Sequence, residues 1–229
     1  ETFEQYRPLH ALDKTEITRR LQPSITNTVD QLKGRDIPFC TTLYLDEVIV
    51  QKLFHPQVFL DKPVNRFLPQ WYIDQFRQGK EKHQRQFKGG EEFAPWKYHI
   101  DRLFLTSLKQ HGVPLLLGTD TGTGAMGVVP GFSIHDELRV LVENGFSPYE
   151  AIATGTRNIS PVIRKMTGQG NLGTVAVGHR ADLLLVERNP LEDVANIQML
   201  RGVMAAGQWF DKQDLEKMTA LDPPAAPVR

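Results

Sequence analysis

The sequence predicts a parallel α/β fold, and three observations predict it. Two helix–strand units follow one another along the chain. Their strands share a register, and each strand runs apolar with little alternation. In the first unit Ser24 stands as the cap of a helix carrying Ile25, Val29 and Leu32 on one face, with Gly34 placed to end it. The strand "IPFCTTLYL", Ile37–Leu45, follows. In the second unit Ile100, Leu103, Phe104 and Leu108 form the apolar stripe, Gly112 ends the helix, and the strand "VPLLLGT" runs from Val113. "LKGRDIPF" from Leu32 and "LKQHGVPL" from Leu108 both read Leu-Lys-x-x-x-(Ile/Val)-Pro-apolar. Proline is tolerated at the first residues of a strand. Near-continuous apolar strands are those buried on both faces, as in parallel sheets flanked by helices.

Between the units lies a long insertion, about 51–97, rich in aromatics and charge. Connections this long are uncommon and often functional. Within it, Arg77 to Lys88 reads as a solvated helix face, with a basic groove for an acidic substrate as the alternative, and Trp71, Tyr72 and Trp96 as a cap over a site or a subunit interface. A helix from about Ser133 carries "SIHDELRVLVENG". "SPYEAIATGTRN" opens another, with Ser147 as N-cap, Pro148 at the first turn and Glu150 completing a capping box. From about Gln169 the texture changes to short strands broken by Gly and Asn-Pro, through "GNLGTVAVGHRADLLLVERNP" and "IQMLRGVMAAGQWF". The expected organisation is an α/β part over 1–168, a small β module over 169–210, and a C-terminal tail over 211–229 whose end, "LDPPAAPVR", reads as disordered.

Composition narrows the function classes. The chain has 229 residues, 40% of them apolar, enough for a real core. Lysine plus arginine, at 27, equals aspartate plus glutamate, so nothing favours nucleic acid or an anionic membrane surface as a partner. No apolar run approaches the roughly 20 residues of a spanning helix. The start, "ETFEQYRPLH", has no apolar h-region and no initiator methionine, and reads as a beginning in the middle of a longer protein. The single Cys40 excludes an intrachain disulfide and a cysteine-rich metal site. The compartment is not fixed by any of this, and homo-oligomers stay open.

The stretch "LLLGTDTGTGAMG", Leu115 to Gly127, has two incompatible readings. Gly122-Thr-Gly124-Ala-Met-Gly127 matches the G-x-G-x-x-G of a dinucleotide-binding turn. That turn needs glycines that open a helix directly and an acidic residue closing a second strand about 20 residues on. Here Val128-Val129-Pro130-Gly131 reads as loop, and Glu143 lies on the following helix, so both supports are missing. The other reading has an apolar strand delivering Asp120 at its C-terminal end, where parallel α/β barrels keep their chemistry. The shared register makes Tyr44 its counterpart on the preceding strand, six residues after Pro38 as Asp120 is six after Pro114. A turn aspartate bonding its own backbone is the bland alternative for Asp120.

The run from about Val113 to Phe210 resembles the C-terminal part of the metal-dependent amidohydrolase superfamily, in the branch of imidazolonepropionases and related dipeptidases. "PLLLGTDTG" is similar to that family's eighth barrel strand, with Asp120 at the metal-ligand position. "PGFSIHDELRVLVENGFSPYEAIATGTRNIS" is similar to the loop and helices that follow it. "LGTVAVGHRADLLLVERNPLEDVANIQMLRGVMAAGQWF" is similar to the returning part of the family's small β-sandwich. Less distinctively, "IPFCTTLYLDE" is similar to the seventh strand. The resemblance therefore implies the C-terminal part of a (β/α)8 TIM-type barrel followed by part of a β-sandwich.

It also shows what is absent. The family's His-x-His pair on strand one, and its lysine or glutamate and two histidines on strands four to six, have no counterpart. The seven histidines, His10, His55, His83, His99, His111, His135 and His179, include no two that are two apart. Two strands cannot close a barrel. The expectation is the C-terminal half of an enzyme whose N-terminal half carries the remaining ligands upstream of residue 1. For the complete protein the resemblance implies one or two divalent metal ions, most simply Zn²⁺, and hydrolysis of a C–N amide bond in a cyclic amide or a small dipeptide-like substrate. Asp120 would be both metal ligand and catalytic base. Tyr44, His135 and Thr121 are candidate substrate contacts, and Thr119 and Thr121 candidate hydrogen-bond supports for Asp120. His179 reads as structural. The rival reading is a non-catalytic half-barrel, a binding or assembly module completed by another chain.

Overall fold

The structure is a computed structural model, and it describes residues 12–122 and 127–220. The chain divides into two compact units, 1–147 and 148–229. The border expected at 168–170 lies inside the second of these.

The first unit opens with helix α1, Lys14–Gly34. It begins ten residues before the expected Ser24, because the Asp13 carboxylate accepts the Glu16 N–H at 2.8 Å and caps it there. Pro23 lies inside the helix, where it removes one backbone bond. Burial of Ile17, Ile25 and Val29 on one face outweighs that cost. Strand β1, Phe39–Thr41, pairs in parallel with β2, Leu115–Leu117. Phe39 faces Leu115 and Thr41 faces Leu117, the register the two Pro-containing repeats imply. Among the described residues, β1 and β2 pair only with one another.

The expected strand to Leu45 is overturned after Thr41. Helix α2, Leu43–Val48, starts instead, and its last turn widens into a π-helical turn over Ile49–Leu53. Tyr44 is therefore a helical residue and not a strand-end counterpart of Asp120. The cause is tertiary: Glu137, far along the chain, accepts the Leu43 and Tyr44 N–H groups and closes the helix N-terminus that Thr42 leaves without a side-chain cap. No local pattern carries that information.

The insertion is helical. It holds α3, Pro56–Leu60, a 3₁₀ turn, Pro63–Phe67, α4, Gln70–Arg77, and α5, Lys82–Gln86. Glu81 caps α5 and also bonds the His83 ring. Phe59, Tyr72 and Phe76 bury their rings against one another. Helix α6, Ala94–Gln110, leads into β2, and helix α7, Ser133–Glu143, follows it. Gly112, at φ +68°, turns the chain between α6 and β2.

The second unit begins with α8, Pro148–Thr154, and α9, Ile159–Thr167, which ends on the left-handed Gly168. A three-stranded antiparallel sheet follows in the order β3, Leu183–Val186, β4, Leu200–Ala205, and β5, Gln208–Asp211. The segment 172–177 is not a strand: Val175 lies exposed in irregular backbone and Val177 exposed in a turn. The expected tail over 211–229 carries a helix, α10, Lys212–Thr219, set by a reciprocal capping box between Asp211 and Asp214. The pattern differs from the usual one only in having Asp where Glu or Gln is commoner. Residues 221–229 lie outside the described set.

Candidate active site at the strand ends

Beyond β2 the chain passes Gly118, Thr119 and Asp120. Gly118 runs so close to β1 that a Cβ there would overlap the Cys40 sulfur and sit 2.9 Å from the Thr41 carbonyl oxygen. Only glycine allows that approach. Thr41 Oγ1 donates to the Leu116 carbonyl at 3.3 Å, a further bond between the strand ends. Asp120 adopts φ +51°, the left-handed region, which Asp tolerates better than most residues. The Thr119 and Thr121 hydroxyls on either side of it lie 2.9 Å apart. The Thr121 N–H leans toward the Thr119 oxygen at 3.4 Å. Asp120 itself is exposed, and among the described residues its carboxylate has no hydrogen-bond or ion-pair partner. A turn aspartate would bond nearby backbone; among the described residues this one does not.

The β1 end is built differently. Glu137 is fully buried, 0% exposed, and caps α2 from α7, with the Tyr44 N–H at 2.7 Å and the Leu43 N–H at 3.1 Å. Burial pushes its carboxyl up, while those donors and the Thr41 hydroxyl pull it back. Glu47 takes a bidentate bond from Arg139 at 2.8 and 2.9 Å, and Arg139 also grips Glu143. Asp46 and Asp101 share the Lys97 ammonium. Burial and the neighbouring Asp101 push the Asp46 carboxyl up to about 7, against the pull of Lys97. Burial alone would lower Lys97, but the two carboxylates outweigh it and hold the ammonium charged. These three side chains border a cavity of about 200 Å³ with Thr41, Thr42 and Phe104.

The other sequence candidates fall as follows. Tyr44 is only 1% exposed; burial and the bonded Asp136 carboxylate push its phenol up. Its ring packs beside Lys62, whose ammonium lies 5.9 Å from the centroid. His135 sits in the first turn of α7, half-buried, and its Nδ1 is buried without a partner. Burial lowers its pKa, with Asp136 opposing. Thr121 stands beside Asp120 in the chain and is half-buried. Among the described residues no hydrogen bond or ion pair joins Asp120 to Tyr44 or His135. Trp71 is 56% exposed, whereas Tyr72 is buried with its hydroxyl accepting the Gly127 N–H at 3.0 Å. Trp96 is half-buried. Part of the G-x-G-x-x-G, 123–126, lies outside the described residues.

Sequence reading missed Glu137, the Lys97 cluster and the Tyr72–Gly127 bond. Only the spacing of Lys97 and Asp101, one helical turn apart, was a visible signal. Asp120 offers one hard oxygen donor, which suits a divalent cation as a single ligand. Among the described residues, no group of three His, Cys, Asp or Glu is arranged to hold a metal ion. No described helix is long and apolar enough to cross a membrane.

Comparison with known proteins fits this geometry. An amidohydrolase structure is 22% identical, with a TM-score of 0.53, over 81% of this chain and 37% of its own. A Xaa-Pro dipeptidase with methionine bound in its active site is 19% identical, with a TM-score of 0.53, over 81% of this chain and 37% of its own. Ochratoxinase of A. niger is 22% identical, with a TM-score of 0.50, over 81% of this chain and 34% of its own. The chain thus spans little more than a third of the length of these structures, and at such identity the likeness concerns the fold. No curated protein matches. The model of the amidohydrolase family matches residues 101–210, from the middle of α6 through β2 and Asp120 to the last strand. Over that span, a little under half of its length, the chain resembles the amidohydrolase family.

Proposed function

We propose that this chain supplies the seventh and eighth strands of a (β/α)8-type barrel over 1–168, and strands of a composite β-sandwich over 169–210, to a metal-dependent hydrolase that cleaves a C–N amide bond. The substrate class is a cyclic amide or a small dipeptide-like molecule. One observation carries the reading: Asp120 stands at the C-terminal end of a parallel strand, exposed, in a left-handed conformation and without a partner among the described residues. Backbone held in a sparsely populated region persists when the surroundings impose it, and such residues cluster at functional sites. The match to the amidohydrolase family model over 101–210 supports the same reading.

A divalent cation, most simply Zn²⁺, would supply the Lewis acidity that makes water a nucleophile near neutral pH. Asp120 is its ligand from this chain, the others coming from outside the described residues. The Asp120 carboxylate then accepts the proton released by the attacking water and delivers it to the leaving nitrogen. The Thr119 and Thr121 hydroxyls frame that carboxylate. Thr121 and the His135 ring are the hydrogen-bonding groups this reading gives to the substrate.

One observation favours the rival, a non-catalytic half-barrel: the described residues hold no three-ligand cluster. Metal analysis of the intact protein, with a panel of N-acyl, cyclic-imide and dipeptide substrates, separates the two. Hydrolysis that a chelator abolishes and Zn²⁺ restores is the expected result. Metal-free protein that cleaves nothing on the panel, with or without added Zn²⁺, supports the half-barrel module.

A further inference from the structure

The second unit holds a cleft between helix α9 and the glycine-rich segment that follows it, "GQGNLGTVAVGHR" over 168–180. The cleft has two compartments. The larger, about 570 Å³, is bordered by Arg164, Gln169, Asn171 and Arg180 among others. The smaller, about 350 Å³, lies against Ile159, Ile163 and Leu172. Ile163, Leu172 and Arg180 border both, so the two adjoin. Volumes of this order are those of small-molecule sites. The chain itself ties the walls together. Thr167 Oγ1 donates to the Ile163 carbonyl at 2.8 Å and accepts the Gln169 N–H at 3.1 Å. Ser160 Oγ donates to the Gly170 carbonyl, and the Asn171 carbonyl accepts the Arg180 N–H at 2.7 Å. Gly170 lets the segment pass against Arg164, since a Cβ there would sit 2.6 Å from the Arg164 Cβ and 2.8 Å from its Nε. Gly173 presses on the Thr156 carbonyl, which a Cβ would overlap.

No acidic side chain lines the larger compartment. Among the described residues the Arg164 guanidinium has no hydrogen-bond or ion-pair partner. Arg180 gives its Nε to Asp182, and among the described residues its two terminal nitrogens make no hydrogen bond. Two guanidinium groups beside a cleft without carboxylates favour an anion, and their planar forks match the oxygens of a carboxylate or a phosphate. The C-terminus of α9 opposes this with a partial charge of about half a unit, which two full positive charges outweigh. We propose that the cleft is a binding site for a small organic acid. Arg164 and Arg180 hold its carboxylate or phosphate head, with the Gln169 and Asn171 amides as further donors. A short apolar body lies against Ile159, Ile163 and Leu172. The site does not depend on the role given to Asp120.

The test is titration calorimetry of the intact protein at low salt with phenyl phosphate, phenylacetate, neutral phenylacetamide and inorganic phosphate. At least one of the two aryl acids is expected to bind, and which one does so identifies the head group. Phenylacetamide is expected not to bind, and inorganic phosphate to bind about 10-fold more weakly than an aryl acid that buries its ring. Arg164→Gln is expected to weaken the acid about 10-fold, the scale of a charge-assisted hydrogen bond, with the thermal midpoint nearly unchanged because Arg164 is exposed. Lys165→Gln, next along α9 and outside the cleft, is expected to leave binding as in the wild type. The site is refuted by no heat from either acid at millimolar concentration, by phenylacetamide binding as tightly as phenylacetate, or by acid binding that Arg164→Gln leaves unchanged. Equal weakening by Lys165→Gln refutes it too, since that is the response of general surface charge. Inorganic phosphate binding as tightly as phenyl phosphate overturns the apolar half of the proposal.

Discussion

Past Thr41, at the end of β1, the acidic side chains are all engaged. Glu137 caps α2, Asp46 holds Lys97, and Glu47 holds Arg139. Past Leu117, at the end of the adjacent β2, the one carboxylate stands exposed with no partner among the described residues. The strands pair in register, so the contrast is between neighbours rather than between core and surface. A carboxylate buried with donors is committed to holding the fold, since losing its partner leaves an unsatisfied buried group. An exposed carboxylate without a partner costs little to keep and is free to take a ligand. The β1 end reads as structure and the β2 end as chemistry. Substitutions on each side can break that division or sharpen it.

The largest effect on stability is expected at Glu137→Ala. It strips the acceptor from two buried N–H groups and leaves a void, a loss of about 4 kcal/mol, read as a lower urea midpoint. A change under about 1 kcal/mol, the scale of one ordinary hydrogen bond, would show that Glu137 is not the cap the geometry makes it. Next comes Lys97→Met. It leaves Asp46 and Asp101 facing one another without a cation, at a cost of about 3 kcal/mol at pH 8. The loss shrinks as pH falls, because without the pull of Lys97 the Asp46 carboxyl takes a proton more readily and the repulsion eases.

Asp46 gives the same cluster a pH signature. Its carboxyl rises from an ordinary 3.8 to about 7 in the folded chain, chiefly through burial and Asp101. Between those values the unfolded chain has released the proton and the folded chain retains it. This group therefore works against folding progressively as pH rises across that window, and its full cost is present above 7. Thermal midpoints measured from pH 4 to pH 8 should fall with pH in the wild type more steeply than in Asp46→Asn. Parallel curves would show that Asp46 does not titrate in that range.

How far the sequence showed this in advance differs between the two ends. At β2 the evidence is local: an apolar run, a glycine, an aspartate, and a register copied from "IPF" to "VPL". The structure keeps that register, with Phe39 opposite Leu115. At β1 the same apolar pattern misleads. Strand propensity over Leu43–Leu45 loses to a cap supplied by Glu137, more than ninety residues away. The start of α1 was legible in Asp13 and Glu16 but hidden behind Pro23, which is accommodated inside the helix. The antiparallel strands β3 to β5 follow their alternation and punctuation, whereas the exposed valines at 175 and 177 show that apolar composition alone makes no strand. The helical content of the insertion was not visible in its own residues, since its contacts with Gly127 and Phe132 lie far downstream.

The smallest effect on stability belongs to the β2 end. Asp120→Asn should change stability by less than about 0.5 kcal/mol, as for exposed sites without partners, because Asn also tolerates the left-handed conformation. The same substitution should have the largest effect on function. The most direct measurement is turnover of the intact, metal-loaded Asp120→Asn protein, on whichever panel substrate the wild type cleaves, beside its thermal midpoint. The expected result is turnover reduced by at least about 100-fold, the lower end of what losing a general base costs, with the midpoint essentially unmoved. Retention of more than about a tenth of wild-type turnover, well above that range, would contradict the role given to Asp120.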